Sequence, residues 1–252
     1  MYPTADEVPV NLLKIYVHFS DRMSEGWAKR AVRVRRGDND EPLDDVFLPM
    51  EPELWDSERC RLTLLLDPGR IKRGLVPNLE AGYPLLEGVP IVVGVDSGFR
   101  DAGGQRLLAG AERRYRVGPA SRARVDPTQW RLNRPATGST EPLIVELDRP
   151  LDHALLDHCL RVSDAIGAPV AGRGVIAEAE RKWRFEPNGT WEAGRYALVI
   201  DPILEDLAGN SLSRVFDRDL TRAEDAPTDT RGHAIEFECT RPVPAQPRPA
   251  GC

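Results

Sequence analysis

The sequence predicts an all-β protein built as two β-sandwich domains in tandem, and three observations carry that expectation. Short segments of alternating apolar and polar residues recur along the chain, as in Val32-Arg33-Val34-Arg35, the period-two pattern of a half-buried strand. Turn residues sit between these segments, and the 22 prolines and 21 glycines suit a loop-rich β architecture better than a helical one. The third observation is an internal repeat, which takes precedence because self-similarity sets the architecture.

The repeat has three blocks in the same order. Phe19-Ser20-Asp21-Arg22-Met23 matches Leu147-Asp148-Arg149-Pro150-Leu151, and the match continues without a gap through Val32 on Leu160 and Val34 on Val162. Leu64-Leu65-Leu66-Asp67-Pro68 then matches Trp183-Arg184-Phe185-Glu186-Pro187. Last, Val95-Asp96 and the later Asp101-Ala102-Gly103-Gly104-Gln105 match Ile200-Asp201 and Asp206-Leu207-Ala208-Gly209-Asn210.

Element by element, strands are expected at 15–19, 62–66, 143–147, 182–185 and 196–200, all rich in β-branched and aromatic residues. One short helix per copy is expected at 24–31 and 152–159, each after a hydroxyl or acidic cap. The polar stretch 117–124 marks the junction. The expected domains are therefore 1–118, with an inserted loop at 70–90, and 125–240; 241–252, rich in proline and poor in apolar side chains, is expected to be disordered.

Thirty-five positions separate Leu66 from Asp101, against twenty-one between Phe185 and Asp206. The excess falls in 70–86, which mixes Arg70, Lys72 and Arg73 with Leu75, Leu79, Tyr83 and Leu85. Long loops on rigid scaffolds often bind partners, so Arg70, Lys72, Arg73, Tyr83 and the separate Trp55 are the binding candidates. The competing expectation is a buttress between the two domains that buries Leu75, Leu79 and Leu85.

Composition excludes several classes. The net charge of −6 argues against nucleic acid, which requires a basic footprint, and the cluster Lys29, Arg30, Arg33, Arg35 and Arg36 reads as a solvated strand face. No apolar run reaches the length of a membrane helix. Four scattered cysteines form no metal-ligand spacing. Neither a nucleophile elbow, a phosphate loop nor a dinucleotide fingerprint occurs. His153 and His158, five apart, lie about 140° apart on a helix and are expected to be exposed. No catalytic residue and no cofactor is assigned. Asp201, Glu205 and Asp206 are weak candidates for a calcium ion; a turn held by Asp206 and Asn210 is the leading account of the same residues.

Asp206-Leu207-Ala208-Gly209-Asn210-Ser211-Leu212, after Pro142-Leu143-Ile144-Val145 and Asp148-Arg149-Pro150-Leu151, resembles the bacterial immunoglobulin-like domains of surface-layer and other exported proteins. The first copy departs from that pattern with Gly104-Gln105. The resemblance implies an immunoglobulin-like form for both sandwiches and an extracytoplasmic setting, although Met1-Tyr2-Pro3-Thr4 opens no signal peptide. The expected function is a non-enzymatic structural or adhesive module pair of a bacterial envelope, monomeric, with a protein or glycan partner. The alternatives are a carbohydrate-binding protein using Trp55, Tyr83 or Trp191 as stacking platforms, and a hydrolase built on His153 or His158.

Overall fold

The computed structural model describes residues 1–219, 221–228 and 232–240, so the expectation for 241–252 lies outside the described residues. The chain is mainly β, with 36% strand against 11% helix. Its elements are β1 (Glu7–Pro9), β2 (Lys14–His18), α1 (Ala28–Ala31), β3 (Val32–Arg36), β4 (Leu54–Trp55), β5 (Arg61–Leu65), α2 (Pro68–Ile71), α3 (Val76–Ala81), β6 (Ile91–Val95) and β7 (Ala111–Gly118). They continue as β8 (Arg131–Asn133), β9 (Leu143–Glu146), α4 (His153–Cys159), β10 (Leu160–Asp164), β11 (Gly172–Ala177), β12 (Lys182–Pro187), β13 (Gly194–Ile200) and β14 (His233–Cys239).

Four sheets result. The first half holds β2-β5-β4 and β1-β7-β6-β3; the second holds β11-β12-β9-β8 and β10-β13-β14. Alternation explains why: Val32 and Val34 are buried while Arg33 between them is exposed. In each half, residues from both sheets fall in one buried cluster. Ile15, Leu62, Val34, Val93 and Tyr115 share the first, and Leu143, Trp183, Val162, Leu198 and Phe237 share the second. No helix among the described residues is long and apolar enough to cross a membrane.

The bridges Met23 to Asp101 and Leu151 to Asp206 join residues that the first and third sequence blocks set against each other. The middle block does not follow. Val17 pairs with Leu62 and Val145 with Trp183, so the ladders set Leu62 rather than Leu64 against Trp183. A shift of two residues leaves every side chain on its original face, and only an odd shift would exchange core for solvent. Apolar pattern alone is therefore blind to this error.

Other departures have local causes. α1 starts only at Ala28 because Gly26, at φ 84°, breaks the chain before it; its first N–H donates to the distant Glu53 carboxylate. Val117 and Gly118, read as junction, belong to β7, where β1 pairs with them in parallel. β11 escaped notice because glycine is depleted in strands, yet a Cβ on Gly174 would stand 2.5 Å from the Trp183 indole nitrogen.

The insertion forms α2 and α3. Asp67 caps α2 by accepting from the Gly69 N–H, and Asn78 Nδ2 donates to the Arg70 carbonyl to join the two helices. Leu85 is buried, but Leu75 and Leu79 are 46% and 72% exposed, which corrects the apolar buttress. α3 packs on α2 and leaves that pair facing solvent, while the contact with the second half is ionic and centred on Arg73.

The Asp-x-x-Gly turns of the two halves give a paired test. Gly104 (φ 82°) has open space around it, whereas a Cβ at Gly209 (φ 80°) would lie 2.5 Å from Leu13 Cδ2. Gly104→Ala is expected to cost about 1 kcal/mol of backbone strain in urea unfolding. Gly209→Ala should cost roughly 1–3 kcal/mol more, because Leu13 has to move.

Candidate functional site: a polar seam between the halves

The densest arrangement of titratable side chains lies where the halves meet. Asp152 precedes α4, and its Oδ1 accepts the Leu155 N–H as an N-cap. The same carboxylate accepts from the Tyr16 hydroxyl at 2.7 Å, and Lys14 Nζ lies 2.9 Å from Glu205 and 3.4 Å from Asp152. Burial drives the Tyr16 phenol far above its ordinary range, and Asp152 adds to that push. Burial opposes the Lys14 ammonium, but Asp152 and Glu205 outweigh it and hold its pKa above the usual lysine value.

Beside this group, Glu180 is buried and accepts from both the backbone N–H and the hydroxyl of Thr4 at 2.8 Å. It arrives there on a strained turn. Glu178, Ala179 and Glu180 all have positive φ, at 48°, 57° and 59°, a conformation that costs a non-glycine residue on the order of 1 kcal/mol or more. His153 Nδ1 stands 3.3 Å from Glu180 Oε1 and is buried without a hydrogen bond. Tyr2 stacks on the His153 ring at 3.5 Å, and His18 closes the group edge-on at 4.9 Å from Tyr2. Burial, with His153 and Arg61 nearby, lowers the His18 pKa. Burial also works against the Glu180 carboxylate, but the His153 ring and the two Thr4 bonds prevail and keep its pKa below the usual range.

At the other end, Asp217 has a side chain only 1% exposed and receives Arg73 N, Arg73 Nε and Arg122 Nε, each at 2.8 Å. Tyr83 OH lies 3.4 Å away, and Lys72 sits over the Phe216 ring at 4.4 Å. Between the two ends the contact is apolar and backbone. Leu207 joins the first half's buried cluster, and the Leu13 N–H donates to the Leu207 carbonyl.

The structure thus places three binding candidates, Lys72, Arg73 and Tyr83, on the second half. Arg70 donates to the carbonyls of Asp45, Ala81, Gly82 and Tyr83. Trp55 packs beside Phe19 and Phe99 and donates to Glu53. The expected solvent-exposed histidine pair is only half right: His158 is exposed, but His153 is packed in the seam. Two of the five residues of the basic stretch are paired, Arg35 to Asp40 and Glu112, and Arg36 to Asp38.

Of the calcium candidates, Asp201 accepts from Ile203 N, and Glu205 pairs with Lys14 and Arg214. Asp206 Oδ1 accepts from Ala208 N and Asn210 N, and Oδ2 from Ser121 Oγ and Asn210 Nδ2. Burial raises its carboxyl pKa in spite of those donors. Among the described residues, no group of three or more His, Cys, Asp or Glu is arranged to hold a metal ion. Two open clefts flank the seam. One of about 450 Å³ is lined by Ile203, Glu205, Ser211, Ser213 and Arg214; the other, about 340 Å³, by Tyr83, Leu85, Leu86, Pro119 and Arg122. Cys60, Cys159 and Cys239 are free thiols, and burial pushes Cys159 up to about 11.

No family model matches the chain, and no curated protein does. Sequence reasoning missed Lys14, Tyr16, Glu180 and Asp217. Asp152 alone had a local signal, as a cap; Glu178-Ala179-Glu180 is composed of good helix formers and hides its left-handed turn.

Two outcomes follow from the seam. Asp206→Ala is expected to lower stability by about 1–3 kcal/mol, equally with added calcium and with chelator; a melting temperature that responds to calcium would mean an ion site. The second concerns pH. The folded His18 resists protonation, so stability present above the unfolded value of 6.5 declines as pH falls below it. The folded Glu180 pKa is depressed, so its contribution is present above the unfolded 4.5 and is lost as pH falls through the folded value. Asp206, shifted upward, acts in the opposite sense at the acid end, so the comparison is with variants. His18→Asn should flatten the upper stage and Glu180→Gln the lower one in denaturant titrations across pH.

Proposed function

We propose that the chain is a non-enzymatic pair of immunoglobulin-like β-sandwich domains, related by an internal repeat and joined as one rigid body, which serves as a structural or adhesive element of a bacterial envelope. One observation carries the reading. The strand neighbours β2-β5-β4 and β3-β6-β7 correspond in order to β9-β12-β11 and β10-β13-β14, and the buried polar groups between them hold the halves to each other. A pair of domains on a short polar linker ordinarily moves about it; here Asp152, Glu180 and Asp217 each take donors from across the junction.

The alternatives find less support. A carbohydrate platform requires exposed aromatic faces, but Trp191 is 2% exposed, with its indole N–H on the Glu141 carbonyl. Trp55 and Tyr83 are engaged as described. A hydrolase requires histidine and carboxylate in a cleft; His153 and Glu180 are adjacent yet line neither cleft.

The test has three arms. The whole protein is expected to melt in a single transition, and the combined Asp217→Asn and Glu180→Gln variant should separate it into two and broaden the interdomain distances in solution scattering. A variant that still melts as one unit with unchanged scattering would remove the rigid-pair reading. A tagged chromosomal copy is expected in the envelope fraction, and recovery from the cytosol alone would overturn the setting. Turnover in a panel of ester, glycoside and phosphate substrates that disappears in Glu180→Gln would favour the hydrolase.

A further inference from the structure

The two halves treat one strand edge differently. Ladder register matches the strands: Val95 pairs with Val32 and Ala111, as Ile200 pairs with Leu160 and His233. Counting along, Tyr115 corresponds to Phe237, and both are buried. Arg114 corresponds to Glu236 and Arg116 to Glu238, so the exposed face of the edge reverses its charge between the halves.

In the first half that edge is covered. β1 lies parallel to β7, with Glu7 opposite Arg116 and Val8 opposite Val117. Val8 is 1% exposed, and Glu7 Oε2 lies 3.7 Å from Arg116 Nε. In the second half the preceding segment goes elsewhere, since β8 pairs with β9 in the other sheet. Among the described residues, β14 is then the last strand of its sheet. Among the described residues, the only backbone contact at that edge is Thr137 N to the Thr240 carbonyl, at one end. Seven residues of edge strand are long enough to template another strand. Glu236 has no ionic partner among the described residues, while Glu238 shares Arg195 with β13.

We propose that the outer edge of β14 is a strand-addition site for a partner protein, which supplies an extended segment in parallel, as β1 is taken up by β7. Charge selects the occupant. Opposite Glu238 it carries a basic residue where β1 has Glu7, and opposite Glu236 a second basic residue two places earlier. An apolar residue follows, beside Cys239, where β1 has Val8. Main-chain hydrogen bonds supply affinity, and the alternating side chains supply selectivity. The inference rests on the equivalence of the two halves and not on the envelope setting. If the halves are not equivalent, paired-cysteine cross-links at matching positions of β6–β7 and β13–β14 form in only one of them; failure of the inference itself shows in binding.

The probe is a dye-labelled peptide copying residues 3–12 with Ala5→Lys and Glu7→Lys, and the control is the unchanged peptide. Both are titrated onto the whole chain, with anisotropy and amide hydrogen exchange as readouts. The lysine peptide is expected to bind and to slow exchange at 233–239. In the Glu236→Lys, Glu238→Lys variant, whose substitutions are on exposed positions, the preference between peptides should reverse, the ratio of affinities changing by about tenfold or more. Equal affinity for both peptides, or protection confined to the first half, would overturn the proposal. So would 233–239 amides that already exchange as slowly in the free chain as those of β13, because the edge would then be covered. Protection that grows with protein concentration without peptide would assign the edge to a second copy instead.

Discussion

A carboxylate withdrawn from water must be met by donors, and in this chain three buried carboxylates meet theirs across the junction. Asp152, Glu180 and Asp217 have side chains no more than 5% exposed. Each belongs to the second half, and each is satisfied by the first: Tyr16 and Lys14, Thr4, and Arg73. An ion pair of this kind adds little net stability over a well-packed apolar contact, because desolvation offsets the attraction. Removing one partner is costly, since it leaves a charge buried and alone. Groups of this kind are therefore better suited to orienting the halves than to adding net stability.

That constraint organises features that otherwise look unrelated. The left-handed run at 178–180 is unfavourable locally, and it brings Glu180 to Thr4. The insertion reaches across by Arg73 and Lys72 instead of by its leucines. Gly209 lets Leu13 and Phe216 close on the turn that Asp206 holds, and Ser121 in the linker joins that turn through Asp206 Oδ2. Linker, insertion and turn thus converge on one interface.

Charge is handled differently on the strands. Of the basic cluster Lys29, Arg30, Arg33, Arg35 and Arg36, read in the sequence as a solvated strand face, Arg35 and Arg36 are paired with nearby carboxylates. The exposed face is basic at Arg114 and Arg116 of β7 and acidic at Glu236 and Glu238 of β14. Two strands with corresponding ladders and opposite surface charge present different chemistry on a common frame, which is how one fold comes to host distinct interactions.

The sequence by itself determined what depends on near neighbours and on period. β-rich composition between turn residues placed β2, β5, β9, β12 and β13 within a few residues; Asp152 declared itself as a helix cap; and Asp206 with Gly209 and Asn210 declared a turn. What the sequence left open was decided by groups distant along the chain. The two-residue register of β5 against β12 is invisible to a period of two. The parallel pairing of β1, the partners of Glu180 and Asp217, and the burial of His153 depend on how the halves meet, and no local pattern encodes the position of a donor more than a hundred residues away.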